Sequence, residues 1–204
     1  MKKKTDSDAE IFLLNNQYVI LADLMDLPEG KCVELDLGCG SGDFTVGLAQ
    51  KFPERLVFAA DIMLNRIRKV VSKCRRAGVL ESTRFFRVEA RHLVSIILPD
   101  QCLDRLHVIC PDPWPKNRHS GHHLISSDFM MQIHRVLKPG GIFHFATDDP
   151  PYLEAGTKNI VESGLFERVD ETVFLADVAD IKTEFERQWL AAGKAVPHTA
   201  WRKI

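Results

Sequence analysis

The chain has 204 residues and a formal net charge of −1, from 27 Lys and Arg against 28 Asp and Glu. This length predicts one domain whose core is large enough to fold without disulfides or a structural metal. With 45% apolar and 27% charged residues, the composition excludes a disordered or collagen-like chain. The near-neutral charge also argues against a protein that coats nucleic acid by bulk electrostatics.

The N-terminus, the apolar runs and the cysteines indicate a cytoplasmic protein. Residues 1–8 are charged and lack the apolar core of a signal peptide. The longest uncharged apolar runs are far too short to cross a membrane. The five cysteines form no C-x-x-C pair, which predicts reduced, mostly buried thiols and neither disulfides nor a metal site: Cys32, Cys39, Cys74, Cys102 and Cys110.

Taken in chain order, the pattern begins with a helix and then alternates between strands and helices. Helical spacing over 8–26 predicts a helix that Pro28 and Gly30 end. We therefore expect a single domain over 1–204, with an N-terminal helical extension over 1–30 and the core over 31–204. The core strands are predicted at 32–37, 56–60, 84–88, 104–110, 142–146, 166–174 and 196–202. Helices are predicted up to about 52, then at 63–77, 91–97, 126–137 and 151–163.

This alternation predicts an α/β fold with a doubly wound, mostly parallel sheet and helices on both faces. A charged, poorly helical stretch separates the last two strands, which favours an antiparallel edge at that end.

A run of glycines follows the first long strand, in Asp-Leu-Gly-Cys-Gly-Ser-Gly-Asp over 36–43. Ligands bind at this end of such strands, where Gly38, Gly40 and Gly42 allow a tight turn and close backbone approach. A dinucleotide loop would have its last glycine where Asp43 stands. Asp36 and Asp43 would repel a pyrophosphate and suit a cationic or zwitterionic ligand such as S-adenosylmethionine. The alternatives are a nicotinamide enzyme and a plain strand–helix turn.

The next two strand ends also carry acids. Asp61 stands about 20 residues after the glycines, where it can accept hydrogen bonds from both ribose hydroxyls. Glu89 follows the third strand, near the position expected for adenine. Together with Lys138-Pro139-Gly140-Gly141 before a late strand, these positions resemble the seven-stranded, Rossmann-like S-adenosylmethionine-dependent methyltransferases.

A proline-rich loop (residues 110–119) follows the fourth strand and opens onto the same edge. Its three prolines stiffen the backbone around Asp112 and Trp114, as the positioning of a planar acceptor requires. Lys116, Arg118 and His119 follow at once and are candidates for phosphate binding.

The sequence Pro-Asp-Pro-Trp-Pro-Lys-x-Arg-His over 111–119 resembles the signature of the bacterial tRNA (guanine-N7-)-methyltransferases. Thr147-Asp148 resembles the T-D pair of that family, and Thr183-Glu184-Phe185-Glu186 resembles its T-x-[FY]-E segment. The resemblance runs from about residue 31 to 204. It implies tRNA as the partner and S-adenosylmethionine as the cofactor. No metal is expected, because no helix aligns His119, His122 and His123 and no nearby cysteine completes a ligand set.

Carried over by position, the resemblance implies cofactor contacts at Asp36, Asp61, Glu89 and Asp112, with Asp112 as the catalytic residue. It implies guanine or tRNA contacts at Lys116, Asp148, Thr183, Glu184, Phe185 and Glu186. The chain departs from the family at Gly121-His122-His123, where Lys-Arg-Arg is usual, and His carries little charge above a pH of ~6.5. It also departs at Glu89, where Asn or Asp is usual, and at Asp149, often Trp or Asn.

The chemistry of guanine agrees with this reading. N7 has a free in-plane lone pair, so it attacks a methyl group without first losing a proton. Carboxylates can favour the positive charge that develops on the purine. Two alternatives remain open: methylation of an exocyclic base amine, and a non-catalytic RNA-binding relative.

Positive charge is concentrated between residues 64 and 91, where nine Lys and Arg face two acids, a local net charge of +7 over 28 residues. Part of this segment is an ordinary solvated helix face. The rest is a candidate RNA-facing surface.

Overall fold

An eight-stranded sheet organises the chain in the computed structural model, which describes residues 10–13, 27, 30–112 and 124–204. The strands are β1 (Ile11–Leu13), β2 (Val33–Leu37), β3 (Leu56–Asp61), β4 (Thr83–Arg87), β5 (Leu103–Ile109), β6 (Leu137–Ala146), β7 (Phe166–Val169) and β8 (His198–Lys203). The helices are α1 (Asp43–Lys51), α2 (Leu64–Ala77), α3 (Ala90–His92), α4 (Ser127–Val136), α5 (Pro150–Ser163), α6 (Glu171–Phe174) and α7 (Glu184–Ala191). A π-helical turn, Leu93–Ile97, continues α3.

The strand order is β1-β4-β3-β2-β5-β6-β8-β7. All pairs from β1 to β6 are parallel, whereas β8 runs antiparallel to both β6 and β7. The parallel α/β sheet and its antiparallel edge are therefore confirmed. Because the chain leaves β2 toward β3 and later returns to β5 on the other side, the sheet reverses its order between β2 and β5.

Helices cover both faces of the sheet, as predicted. One apolar cluster joins Leu35 and Phe143 to Phe129 of α4 and Ile160 of α5. The other joins the opposite face to α1 and α2, through residues such as Phe44 and Val70. None of the helices in the described ranges is long and apolar enough to cross a membrane.

The predicted N-terminal helix is wrong where the structure describes it. Ile11–Leu13 form β1, which pairs in parallel with β4, and Phe12 stacks on Phe86 with 5.4 Å between ring centroids. Consecutive apolar residues fit a strand as well as a helix, and the free edge of β4 decides in favour of the strand. The rest of the predicted helix, residues 8–9 and 14–26, lies outside the described residues.

The C-terminal region also differs from the prediction. The predicted strand over 166–174 ends at Val169, and Asp170 caps the short helix α6 by accepting from the N–H of Thr172. The stretch that reads as poorly helical contains α7. Its signal is a capping box, in which Thr183 accepts from the N–H of Glu186 at 3.0 Å and Glu186 accepts from the N–H of Thr183 at 2.8 Å.

The turns around α2 and before α4 follow the predicted chemistry. Gly78 ends α2 in the left-handed conformation with a φ of 73°. The side chain of Ser126 accepts from the N–H of Phe129 and caps α4. The strand predicted over 142–146 is longer in the structure. It begins at Leu137, so Lys138–Gly141 belong to β6 and do not form a separate turn before it.

The glycine loop (residues 38–42) turns the chain from β2 into α1. Gly38, Gly40 and Gly42 all lie in the left-handed region, with φ values of 83°, 54° and 78°. A Cβ added at Gly42 would lie 2.5 Å from a methyl carbon of Val70 in α2, whereas one at Gly38 meets nothing within 4 Å. Gly42 is therefore required by the contact between α1 and α2 as well as by its φ.

We predict different stability losses for two substitutions in this loop. Gly38→Ala should lower the free energy of unfolding by about 1 to 2 kcal/mol, the cost of a left-handed non-glycine residue. Gly42→Ala should lose a further ~1 to 3 kcal/mol, because its Cβ overpacks against Val70. Urea unfolding of both variants and the wild type measures the difference. Equal losses would contradict the packing role of Gly42.

Candidate active site

The candidate site lies where the sheet reverses its order, at the carboxyl ends of β2 and β5. In open α/β sheets this position forms a crevice, because the loops that follow the two strands leave in opposite directions. The glycine loop follows β2, and Cys110–Asp112 follow β5. Asp61 ends β3, and Glu89 is the second residue after β4.

One cavity of about 290 Å³ joins these strand ends, and we call it the strand-end cavity. Its lining includes the three predicted acids Asp61, Glu89 and Asp112, together with Gly38 and Cys110. The sequence prediction placed these acids at separate strand ends, and the fold brings them to one cavity. Its acidic lining suits a ligand that carries positive charge and hydroxyl groups.

A second cavity of about 430 Å³ adjoins the first and shares Gly38, Arg66 and Cys110 with it. We call it the α7 cavity, because the N-terminal turn of α7 forms the wall opposite the glycine loop. Thr183, Glu184 and Phe185 line that wall. Three of the predicted substrate-binding residues therefore border the space next to the predicted cofactor-binding acids.

Asp61 ties the glycine loop to β3. Its Oδ1 accepts from the N–H of Met63 at 2.7 Å, and its Oδ2 accepts from the N–H of Gly40 at 3.2 Å. Arg66 of α2 also donates to Oδ2, at 3.3 Å. The last two contacts are long for charge-assisted hydrogen bonds.

Asp36 lies beneath the loop instead of in the lining of either cavity. Its side chain is buried, and its Oδ2 accepts from the hydroxyl of Thr45 in α1 at 2.5 Å. Burial, with the charge of Asp61 adding to it, raises the pKa of Asp36 to about 6, although the Thr45 hydrogen bond opposes the rise. Gly42 likewise lines neither cavity and packs on Val70.

Glu186 and Asp148, two further predicted substrate residues, line neither cavity. Glu186 is buried, and its carboxylate faces the N–H of Thr183 and the ring of His198. Asp148 is half-buried, lines neither cavity, and lies close enough to Cys110 to act on its thiol. Glu186 therefore anchors the first turn of α7, and Asp148 lies beside Cys110.

Cys110 is a site residue that the sequence analysis did not identify. It lines both cavities and has a φ of 50°, which is rare for a residue other than glycine. Its N–H donates to the carbonyl of Ala146 at 2.8 Å, so β6 holds the strained residue in place. The positive φ at a strand end has no sequence signal, because Cys is not a typical left-handed residue.

The thiol of Cys110 is protonated at neutral pH. Burial and the nearby charges of Asp148 and Glu186 raise its pKa to about 12. All five cysteines are free thiols, and three of them are buried, so the prediction of reduced, mostly buried cysteines is confirmed.

Three predicted substrate residues, Lys116, Arg118 and His119, lie outside the described residues, as do Trp114 and His122–His123. Asp149, the other departure from the family pattern, caps α5 by accepting from the N–H of Tyr152 at 2.8 Å. No group of three or more potential metal ligands occurs within the described ranges.

Comparison with known proteins gives a consistent result. A family model described as "Putative methyltransferase" matches residues 30–199. A tRNA (guanine-N(7)-)-methyltransferase of Caulobacter vibrioides is 38% identical over 145 residues, 71% of this chain and 63% of that protein. One of Syntrophotalea carbinolica is 33% identical over 163 residues, 79% of this chain and 70% of that protein. The chain belongs to the tRNA (guanine-N7-)-methyltransferase family.

The match with the Caulobacter protein spans less than two thirds of the length of that relative. A solved structure, that of the 16S rRNA methyltransferase KamB, aligns with a TM-score of 0.63 at 18% identity, over 99% of this chain and 95% of that one. This likeness confirms the Rossmann-like methyltransferase fold, to which β1 adds an eighth strand.

The raised pKa of Asp36 predicts a specific pH dependence of stability. Between pH 3.8 and about 6 the folded state holds a proton on Asp36 that the unfolded state has lost. The free energy of unfolding of the wild type therefore falls as pH rises through this range. Asp36→Asn should therefore gain roughly 3 kcal/mol of stability relative to the wild type between pH 3.5 and pH 7.5. Urea unfolding of both proteins across that window measures the difference, and parallel pH profiles would contradict the prediction.

Proposed function

We propose that the chain is a tRNA (guanine-N7-)-methyltransferase that uses S-adenosylmethionine and acts in the cytoplasm. The observation that carries the proposal is the convergence of Asp61, Glu89 and Asp112 on one cavity at the point where the sheet reverses. Family membership supplies the reaction, and the adjoining α7 cavity supplies room for a base beside the cofactor.

The residues present fit S-adenosylmethionine. Asp61 is available at the end of β3 for ribose hydroxyls, and Glu89 borders the region next to it for adenine. Gly38 and Gly40 present bare backbone to the cavity, where a Cβ would narrow the space for the methionine end. The buried carboxylate of Asp36 gives this end of the site a negative field, which favours an ammonium or sulfonium group.

When bound, S-adenosylmethionine supplies a methyl group made electrophilic by its sulfonium. Guanine N7 needs no general base, so the protein contributes position and field. Asp112 is exposed in the lining of the strand-end cavity, where its carboxylate can accept from the guanine edge and favour positive charge on the purine. We assign it the catalytic role, with Glu186 anchoring the first turn of α7 and Asp148 beside Cys110.

The substrate side of the site combines acids with positive charge. Phe185 is 40% exposed and offers a ring for stacking on a base. Arg66 and Lys69 of α2 are exposed and line the α7 cavity, at the start of the basic segment noted in the sequence. This arrangement fits a tRNA whose phosphates lie on α2 while one guanine enters the cavity.

Methyl transfer to an unmodified tRNA transcript, followed by nuclease digestion and identification of the methylated nucleoside, tests the function. We expect 7-methylguanosine. An N2-methylated guanosine or N6-methylated adenosine would instead establish the exocyclic-amine alternative. Binding of tRNA without any methyl incorporation would establish a non-catalytic relative.

We expect Asp112→Asn to lower kcat for tRNA by about 100-fold or more, because it removes a charge aimed at the transition state. The dissociation constant for S-adenosylmethionine, measured by calorimetry, should rise much less. Asp128→Asn is the matched control, since Asp128 is an exposed acid on α4, and its kcat should equal that of the wild type. Full activity of Asp112→Asn would remove Asp112 from catalysis.

A further inference from the structure

Five side chains form a continuous line through the core, separate from the lining of the two site cavities. Nε2 of His107 lies 2.9 Å from Oε2 of Glu34, and Nδ1 of His107 lies 2.9 Å from Nδ1 of His144. Nε2 of His144 lies 2.8 Å from Nδ1 of His198. Nε2 of His198 lies 3.0 Å from Oε1 of Glu186. We call these five residues the histidine chain.

The strand register explains why the three rings meet. His107 and His144 are direct partners in the β5–β6 pair, and His198 pairs with Ala146, two residues beyond His144. Residues two apart on a strand face the same side of the sheet. The ring of Phe44 in α1 covers them, 4.9 Å from the ring of His107. The histidine chain thus crosses four strands under α1 and reaches α7.

The number of protons follows from the number of contacts. The histidine chain has four contacts, and each needs one proton between its two atoms. Three neutral imidazoles between two carboxylates carry only three protons, so at one contact two lone pairs would face each other, either nitrogen against nitrogen or nitrogen against a carboxylate oxygen. That arrangement leaves buried polar atoms unsatisfied and is costly. One additional proton places a hydrogen at every contact and gives the whole group a net charge of −1. Three of the contacts then have hydrogen-bond geometry, and the one between His198 and Glu186 is an ion pair.

The electrostatics of the members decide where this proton lies. Burial tends to raise the pKa of both carboxyls, but hydrogen bonds from His107 and His198 outweigh it and lower the pKa of Glu34 and Glu186, so both are ionised. Burial and the two neighbouring imidazoles lower the pKa of His144 well below its ordinary value. His144 is therefore neutral, and the place for an additional proton is one of the two outer rings, His107 or His198, each of which contacts a carboxylate. Its single N–H is on Nε2 in the first case and on Nδ1 in the second.

The surroundings favour the His198 end. Charged groups face the histidine chain from several packed elements: Arg55, Arg105 and Asp177 at the Glu34 end, Asp36 beside His107, and Lys182 beside Glu186. Arg55 donates to Glu34 at 2.6 Å, whereas Nζ of Lys182 lies 3.7 Å from Glu186. Oε1 of Glu186 is buried, and no donor among the described residues, His198 included, reaches it with hydrogen-bond alignment. Nε2 of His198, 3.0 Å away, is its nearest ion-pair partner, so a proton on that nitrogen is what offsets the buried negative charge.

Glu186 links the histidine chain to the site. Its Oε2 closes the capping box of α7 on the N–H of Thr183, while its Oε1 faces His198. Thr183, Glu184 and Phe185, which line the α7 cavity, belong to the turn that this carboxylate anchors.

We infer that His198 is a positioning residue. A proton shared along the histidine chain lets it hold Glu186, and Glu186 in turn holds the α7 wall of the α7 cavity. The catalytic consequence rests on the proposed function; the proton sharing and the anchoring of α7 do not. The interaction between His198 and Glu186 weakens as pH rises, because after loss of the fourth proton two lone pairs face each other at one contact of the histidine chain.

Long-range proton–nitrogen NMR of protein labelled with ¹⁵N-histidine counts the protons directly. We expect four imidazole N–H protons on these three rings at neutral pH, and a common midpoint for all three when the fourth proton is lost. Assignment uses the single variants. Three N–H protons, or three independent midpoints, would overturn the shared proton.

Two substitutions at one position separate anchoring from proton sharing. His198→Ala removes both, whereas His198→Gln keeps a side-chain N–H for Glu186 but cannot pass a proton to His144. In His198→Ala, amide exchange at Glu186 and Arg187 should be about 10-fold faster, and KM for tRNA should rise about 10-fold with little change in S-adenosylmethionine affinity. His198→Gln should restore both values and lose their pH dependence.

His134→Ala is the control, because His134 contacts the carbonyl of Ile204, away from the histidine chain. It should behave as the wild type in all measurements. Unchanged exchange at α7 in His198→Ala, or equal effects of His134→Ala, would overturn the inference. If the wild type fails to methylate tRNA, the proposed function fails while NMR and amide exchange still decide the inference.

Discussion

The candidate site depends on the position of β2 between two parallel neighbours. Because β3 lies on one side and β5 on the other, the connections after β2 and β5 must diverge, and the space between them cannot be filled by either loop. The glycine loop and the residues after β5 border this space, and the acids after β3 and β4 complete it. A sheet with the same strands in sequential order would separate Asp61 from Asp112.

The two faces of β2 serve different purposes. Val33, Leu35 and Leu37 join one apolar cluster, whereas Glu34 and Asp36 point to the face covered by α1. On that face the sheet carries acids, imidazoles and their partners within an otherwise apolar layer. The net charge of −1 therefore conceals two separate distributions. Acids concentrate inside and around the site, whereas bases concentrate on α2, where Arg66, Lys73 and Arg75 pair with acids from other segments.

Much of the fold and of the strand-end cavity could be predicted, because both depend on local signals. Apolar runs of strand length alternate with helical periods, and the glycine loop marks the first strand end. The acids at 61, 89 and 112 then follow from the rule that parallel strands end at one edge. Helix α7 was also predictable in principle, since Thr183 and Glu186 have capping-box spacing, but the charge of the segment outweighed that signal.

Other features depend on contacts between residues distant in sequence. The strand β1 forms because β4 has a free edge, and an isolated run of Ile, Phe and Leu does not reveal this. Gly42 reads as a ligand-binding glycine, although its close neighbour is Val70 on another helix. The three histidines are separated by 37 and 54 residues, and only the register of β5, β6 and β8 aligns them.

The backbone of Cys110 limits what evolution can place at the end of β5. A φ of 50° is easy for glycine and tolerable for asparagine, but a β-branched residue would clash with its own backbone there. The preceding residues of β5 favour the opposite class, since Val108 and Ile109 extend a buried strand. The permitted residue types therefore change abruptly where β5 meets the proline-rich loop, from β-branched residues to residues that tolerate a positive φ. In related chains, the identity of the residue at this border should covary with the geometry of the loop and not with the packing of the sheet.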